Sequence, residues 1–137
     1  MKIRKITAGV TLVEVLIAVA IIVFAVAGIM DFYLAVLTLS GINNEEAVAN
    51  THSINMMEAI RCTPFNNIII NFPNGVNDGT GSNNYSTIVG GYPLANEHIV
   101  VSYVNPGSDP LEINVSVNWQ DKRGTARTRN LVTKMIR

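Results

Sequence analysis

An uninterrupted apolar stretch near the start of the chain constrains its fold more than any other feature. Val15 to Met30 is a run of sixteen residues without a charged or strongly polar side chain, and the apolar character resumes after Asp31. At about 1.5 Å per residue, a helix from Val10 to Leu39 would measure roughly 45 Å, longer than the ~30 Å core of a bilayer. Because this helix is apolar on every side, it must be buried in lipid or among other helices.

The positive charges are placed asymmetrically around this stretch. Lys2, Arg4 and Lys5 lie in the first nine residues, whereas the next base along the chain is Arg61. Positive charge beside a membrane span marks its cytoplasmic side. We therefore expect one membrane pass, with residues 1–9 inside the cytoplasm and the C-terminus outside it.

Glu14 stands at the start of the apolar stretch, where a carboxylate needs an explanation. A charged residue costs about 2.5–3.5 kcal/mol at the middle of a span on insertion scales, and less nearer the interface. A secretory signal cleaved near residues 25–28 does not account for this acid, and neither does a plain signal anchor. A favourable position at a helix N-terminus is one explanation, and a cationic partner is another.

Residues 8–14 (AGVTLVE) resemble the prepilin cleavage motif of type IV pilins and type II secretion pseudopilins. In that family a prepilin peptidase removes a short basic leader by cutting after the glycine, here Gly9. The resemblance implies that Val10 becomes the N-terminal residue and is N-methylated, although the family more often has Phe or Met there. Glu14 then matches the family's glutamate, whose carboxylate can neutralise the Val10 ammonium of a neighbouring subunit.

The resemblance implies a structural subunit of a type IV pilus, and the C-terminal hairpin is similar to that of minor pilins of the PilV kind. The implied partners are other pilin or pseudopilin subunits, prepilin peptidase, and the inner-membrane assembly platform with its ATPase. The chain would reside in the inner (cytoplasmic) membrane and then in the pilus or pseudopilus. Three alternatives stay open: a pseudopilin of a type II secretion or DNA-uptake system, an uncleaved signal-anchored periplasmic binding module, and a secreted small enzyme beginning near Gly28.

A second helical pattern follows the apolar stretch. Small and apolar residues recur on one face: Ile42, Ala49, Ser53, Met56 and Ile60. The polar residues are predicted mostly on the other faces: Glu45, Glu46, Asn50, His52 and Glu58. The pattern fits a fresh helix start at Ser40 or Asn43, or the single long helix that the family resemblance suggests. The helix should end near Thr63, because the residue before Pro64 disfavours helical geometry.

The C-terminal third has the pattern of an antiparallel sheet. Residues 111–120 alternate strictly between apolar and polar side chains, residues 121–124 form a turn, and residues 125–136 return as a partner strand. Residues 86–89 and 98–104 are also predicted strands, and residues 64–85, rich in Asn, Gly and Pro, a loop. The sequence thus predicts an α+β fold, in which the C-terminal half of the long helix packs on a small sheet. Together with the family resemblance, this implies a leader (1–9), a transmembrane and filament-core helix (10–39) and an extracytoplasmic head (40–137).

The sequence contains no catalytic, cofactor-binding or metal-binding motif, so we expect a protein that is not an enzyme and holds no cofactor. His52 and His98 have no nucleophile or carboxylate placed beside them by the sequence. Cys62 is the only cysteine, which excludes an internal disulfide. Six bases in the last sixteen residues could contact DNA, with Arg127 and Arg129 foremost. We favour protection of an exposed sheet edge, because no aromatic residue accompanies these bases after Trp119.

Overall fold

The computed structural model describes residues 11–79 and 84–137. The elements follow in the order α1 (Leu12–Arg61), a 3-10 turn (Phe65–Asn67), α2 (Ile68–Asn71), α3 (Tyr85–Val89), β1 (Ala95–Tyr103), β2 (Leu111–Gln120) and β3 (Ala126–Met135). The long helix followed by a three-stranded antiparallel sheet is the α+β arrangement that the sequence predicts. The predictions for the leader, for Gly9 and for Val10 concern residues outside the described ones. The chain divides into two compact units at Leu39 and Ser40.

Helix α1 is continuous. It is assigned as a single element from Leu12 to Arg61, so the alternative of a fresh start at Ser40 or Asn43 is wrong. At its C-terminal end the amide of Cys62 donates to the carbonyl of Glu58 at 2.9 Å. The helix ends within two residues of the predicted position, because the approach to Pro64 disfavours helical geometry.

The core of residues 40–137 lies between the C-terminal half of α1 and one face of the sheet. The helix contributes Ala49, Met56, Met57 and Ile60, all buried. Every second residue of β2 faces them, and each of these is at most 4% exposed: Leu111, Ile113, Val115, Val117 and Trp119. The two-residue period of a strand puts one side-chain set on the helix side, which explains this alternation.

Strand β2 lies at the centre of the sheet, in the order β1-β2-β3. Both neighbours run antiparallel to it; Ile113 is opposite Tyr103 of β1 and Thr133 of β3. The strand predicted over residues 98–104 is confirmed, although it begins earlier, at Ala95. The hairpin predicted over residues 111–136 is confirmed as well.

The prediction of a strand over residues 86–89 is wrong, because this segment is the helix α3. The side chain of Asn84 accepts a hydrogen bond from the amide of Ser86 at 2.9 Å and caps the helix start. Gly90 ends the helix in the left-handed conformation, with φ of 89°. The predicted loop at residues 64–85 also contains the 3-10 turn and α2.

The turn between β2 and β3 is organised by the buried carboxylate of Asp121. Its Oδ1 accepts hydrogen bonds from the amides of Arg123 and Thr125, each at 2.9 Å, and its Oδ2 accepts from Nε of Arg127 at 3.2 Å. The hydrogen bond from Thr125, assisted by those from the two arginines, lowers the pKa of Asp121 below its usual value of 3.8 despite its burial.

We therefore expect Asp121→Asn to destabilise the protein at pH 7 and to matter progressively less in acid. A carboxyl whose pKa is lower in the folded state stabilises that state fully above its unfolded pKa, and this stabilisation is lost as pH falls through the folded pKa. The measurement is urea unfolding followed by the fluorescence of Trp119, at pH 7 and at pH values below 3.8. Asp109→Asn, at an exposed position, is the matched control. A difference between Asp121→Asn and the unmodified chain that did not shrink in acid would contradict this role.

Candidate functional site

The first half of α1 exposes an apolar surface of a size that folded proteins normally bury. Between Leu12 and Leu39, nineteen large apolar side chains are exposed, against five among the described residues after them. An 18-residue window of this helix has a mean hydropathy of 2.9, and none of it is buried within the chain. Contiguous apolar surface of this extent marks a membrane or a protein interface. The helix is long and apolar enough to serve as a membrane anchor.

Glu14 lies in the first turn of α1, beside the residue that caps the helix. The amide of Glu14 donates a hydrogen bond to Oγ1 of Thr11 at 3.3 Å. A threonine followed three residues later by a glutamate is a known helix-start pattern, which the sequence analysis overlooked. The Glu14 side chain is exposed, and among the described residues no basic group lies within 4 Å of its carboxylate. Its charge is therefore available to a partner outside the described part of the chain.

The other polar residues in this half of α1 are few. Asp31 is exposed, seventeen positions after Glu14. At about 1.5 Å per residue, the two acids lie roughly 25 Å apart along the helix axis, somewhat less than a bilayer core. The hydroxyl of Thr38 donates to the carbonyl of Leu34 at 2.8 Å, so it needs no partner outside the helix. The two carboxylates are thus the groups that would favour the membrane surfaces over its interior.

The second half of α1 makes a buried side-chain hydrogen bond to the sheet. Nδ1 of His52 donates to Oε1 of Glu97 in β1 at 2.5 Å, and Oε2 of Glu97 accepts from the amide of Leu94 at 3.1 Å. The two side chains are 8% and 0% exposed. The predicted positions of His52 and Glu45 on the polar faces of the helix are wrong, because both are buried. Each lies within four residues of Ala49, on the same helix face, and this spacing was the available signal.

The burial of this pair limits what it can do. A general base must come within hydrogen-bond distance of a substrate, and the Glu97 carboxylate has no accessible surface. A buried hydrogen bond between two elements also fixes them relative to each other, since separating the two side chains leaves a buried polar group without a partner. The geometry therefore assigns His52 and Glu97 to the attachment of α1 to β1. Among the described residues, no three His, Cys, Asp or Glu side chains are arranged to hold a metal ion.

Three tyrosine hydroxyls lie within or beside the segment between α1 and β1. The hydroxyl of Tyr92 donates to Asp78 at 2.7 Å, and that of Tyr103 donates to the carbonyl of Phe72 at 2.8 Å. Burial raises the pKa of Tyr85 to about 12, helped by the nearby charge of Asp78. Burial likewise raises the pKa of Tyr103. These groups stay protonated at neutral pH. The hydroxyls of Tyr92 and Tyr103 act as structural contacts, whereas the hydroxyl of Tyr85 is buried without a hydrogen-bond partner among the described residues.

The bases of the C-terminal hairpin are engaged mainly with the chain itself. Arg127 pairs with Asp121, and Nη2 of Arg129 donates to Oδ1 of Asn50 at 3.2 Å. Lys134 pairs with Glu112 at 3.2 Å. The register places Arg127 and Arg129 on the helix side of β3, opposite Trp119 and Val117. The two arginines considered for DNA contacts therefore both lie on the α1 side of the sheet, and Arg129 contacts α1 directly.

Comparisons of this chain with protein-family models, with curated proteins and with solved structures found no match. The distinguishing arrangement is an exposed apolar helix with a capping Thr11 and an exposed Glu14 in its first turn.

Proposed function

We propose that this chain is a minor structural subunit of a type IV pilus, processed after Gly9 and assembled through its N-terminal helix. The observation that carries the proposal is the exposed apolar surface from Leu12 to Leu39, which begins with Glu14 in the first helical turn. The likeness of residues 8–14 to a prepilin cleavage motif supplies the processing site. Residues 40–137, with their own core, form the part that would remain outside the membrane.

Such a subunit must leave the bilayer without exposing its apolar helix to water. Lipid chains and apolar helix surfaces are similarly apolar, so exchanging one contact for the other is nearly balanced in free energy. An assembly ATPase can then drive the transfer of the subunit into a filament. Packing between uniform apolar helices has little inherent register, and a buried ion pair is a known means of fixing register.

Glu14 is the group proposed to set this register. Cleavage after Gly9 would create an ammonium group at Val10, four positions before Glu14. The Glu14 carboxylate of one subunit would neutralise the Val10 ammonium of its neighbour. Because both charges would be held away from water, removing either would leave the other uncompensated, which costs about 3–5 kcal/mol in buried pairs.

We expect the mature chain to begin at Val10, and Glu14→Ala to be cut normally yet to enter filaments at least about tenfold less, which corresponds to 1.4 kcal/mol. Gly9→Val should insert in the membrane and remain uncut. Mass spectrometry of the N-terminus reports cleavage, and quantitative immunoblotting of sheared filaments against the membrane fraction reports assembly.

Glu46→Ala is the matched control, because it removes an exposed acid from the same helix within residues 40–137. It should assemble normally. A native chain that begins near Gly28, or one that keeps its first nine residues, would contradict the proposal. Normal filament entry of Glu14→Ala would contradict the ion pair.

A further inference from the structure

The two edges of the sheet differ in their hydrogen bonding. At the β1 edge, the carboxylate Oδ1 of Asp78 accepts a hydrogen bond from the amide of Ile99 at 2.9 Å. The backbone amide of Asp78 donates to the carbonyl of Ile99 at 2.8 Å. The amide of Gly75 donates to the carbonyl of Val101 at 2.8 Å, and the side chain of Asn74 accepts from the amide of Tyr103 at 3.0 Å. The segment before α3 therefore closes this edge against another strand.

The β3 edge is open. The amide of Asp121 donates to the carbonyl of Thr125 at 2.9 Å, and this bond sets the alternation of the ladder between β2 and β3. Residues of β3 alternately bond to β2 and point away from it, so the backbone groups of Thr128, Asn130 and Val132 point away from β2. Among the described residues, no backbone group of residues 126–135 makes a hydrogen bond outside the β2 ladder. The same alternation predicts that the odd-numbered residues of β1 point outward, as observed.

A groove of about 210 Å³ runs between this open edge and α1, and its lining is partly apolar and partly charged. It is lined by Ile54, Met57, Glu58, Arg61, Leu131, Val132 and Thr133. Ile54 is 42% exposed and Val132 is 56% exposed, although most large apolar side chains of the head are buried. The apolar part of the groove is thus accessible to another chain.

Helix-side positions of β3, together with Arg61 of α1, form a short pattern of charged and apolar side chains. Arg129 donates to Asn50, Leu131 lines the groove together with Ile54, and Nη2 of Arg61 donates to Oγ1 of Thr133 at 3.0 Å. Among the described residues, neither Arg61 nor Arg129 has an acid within 4 Å. The order along the edge is therefore cation, apolar, cation, with one acid in the groove lining, Glu58.

This charge pattern selects among possible occupants. A second copy of β3 would bring Arg127 and Arg129 to the same side of the sheet as Arg129 and Arg61 of the first, and like charges placed opposite each other disfavour pairing. An acidic strand would instead meet Arg61 and Arg129 with complementary charge. Strand addition at an open edge uses backbone hydrogen bonds for affinity and alternate side chains for specificity.

We propose that the open edge of β3 binds an extended acidic segment of a different protein, which adds as a fourth strand. Its side chains on the α1 side alternate acid, apolar and acid, opposite Arg129, the groove between Ile54 and Leu131, and Arg61. This interaction belongs to residues 40–137 and does not depend on processing after Gly9.

The test uses the full-length chain in neutral detergent micelles and a blocked, fluorescein-labelled peptide, Thr-Glu-Thr-Val-Thr-Glu-Thr. Fluorescence anisotropy should show that this acidic peptide binds at least about tenfold more tightly than the same peptide with Lys in place of Glu. Increasing the salt concentration should reduce this difference in affinity. The double variant Arg61→Glu with Arg129→Glu should reverse the preference. Val132→Pro should abolish binding of both peptides, because it removes an outward amide that the β2 ladder does not use.

The control for charge is Arg123→Glu, in the turn between β2 and β3, which should change the two affinities little. The fluorescence of Trp119 reports whether each variant is folded, and the charge-reversal variant tests the proposal even if Val132→Pro unfolds the protein. Equal affinities for the two peptides would overturn the proposal, as would no binding of the acidic peptide at about 1 mM, a limit corresponding to −4.1 kcal/mol. An effect of Arg123→Glu as large as the reversal at the edge would overturn it too.

Discussion

Replacing His52 with alanine is expected to lower the free energy of unfolding of residues 40–137 by about 1–3 kcal/mol, the usual cost of leaving a buried polar group without its hydrogen-bond partner. The Glu97 side chain has no exposed surface, and the amide of Leu94 would be its one remaining hydrogen-bond donor in the described chain. Domains of this size are stable by about 5–15 kcal/mol, so the loss would be a large share of the total. Urea unfolding in detergent, followed by the fluorescence of Trp119, measures it.

His98→Ala provides the matched control, because it removes the other histidine of the chain from a partly exposed position. Within residues 11–79 and 84–137, the ring of His98 makes one hydrogen bond, to the carbonyl of Asn96 at 3.3 Å. We expect a change below about 0.5 kcal/mol there. Glu97→Gln keeps a hydrogen-bond acceptor for His52 without the charge, so its effect should lie between the two. A loss below about 1 kcal/mol for His52→Ala would show that the pair is not a main attachment of α1 to β1.

The parts of the fold that sequence analysis predicted well are those determined by local periodicity. The alternation in residues 111–120 is unbroken, and the strand has those bounds in the structure. The segment at residues 86–89 is too short for a period to distinguish strand from helix. The capping Asn84 and the terminating Gly90 were the more reliable signals, since both act on the backbone directly.

The buried polar contacts were beyond prediction from local pattern, because they depend on residues far apart in sequence. His52 and Glu45 were placed outward on polarity alone, although their spacing from Ala49 puts them on the buried face. The partner of His52, Glu97, fell just before the predicted start of β1. Similarly, no local signal shows that Asp78 closes the edge of β1. In contrast, the position of Glu14 at the start of α1 could be predicted from hydropathy and spacing alone.

Truncating Ile113 to alanine is expected to lower the free energy of unfolding by about 2–5 kcal/mol, the range for large-to-small changes in protein cores. Ile113 has no exposed surface and lies on the central strand, with Tyr103 and Thr133 on either side. The substitution removes buried apolar contacts and leaves a cavity that neighbours on three elements can only partly fill. Ile113→Val, which removes a single methylene, should cost about 0.5–1.5 kcal/mol.

The control for this series is Ile70→Ala, the same chemical change at a side chain that is 75% exposed. Its effect should stay within about 0.5 kcal/mol, because surface substitutions leave no cavity. Unfolding midpoints in urea should then rank Ile113→Ala lowest, Ile113→Val next, and Ile70→Ala level with the unmodified chain, at an unchanged slope with denaturant. Equal midpoints for the two alanine variants would mean that the helix-facing side of β2 does not form the core of this protein.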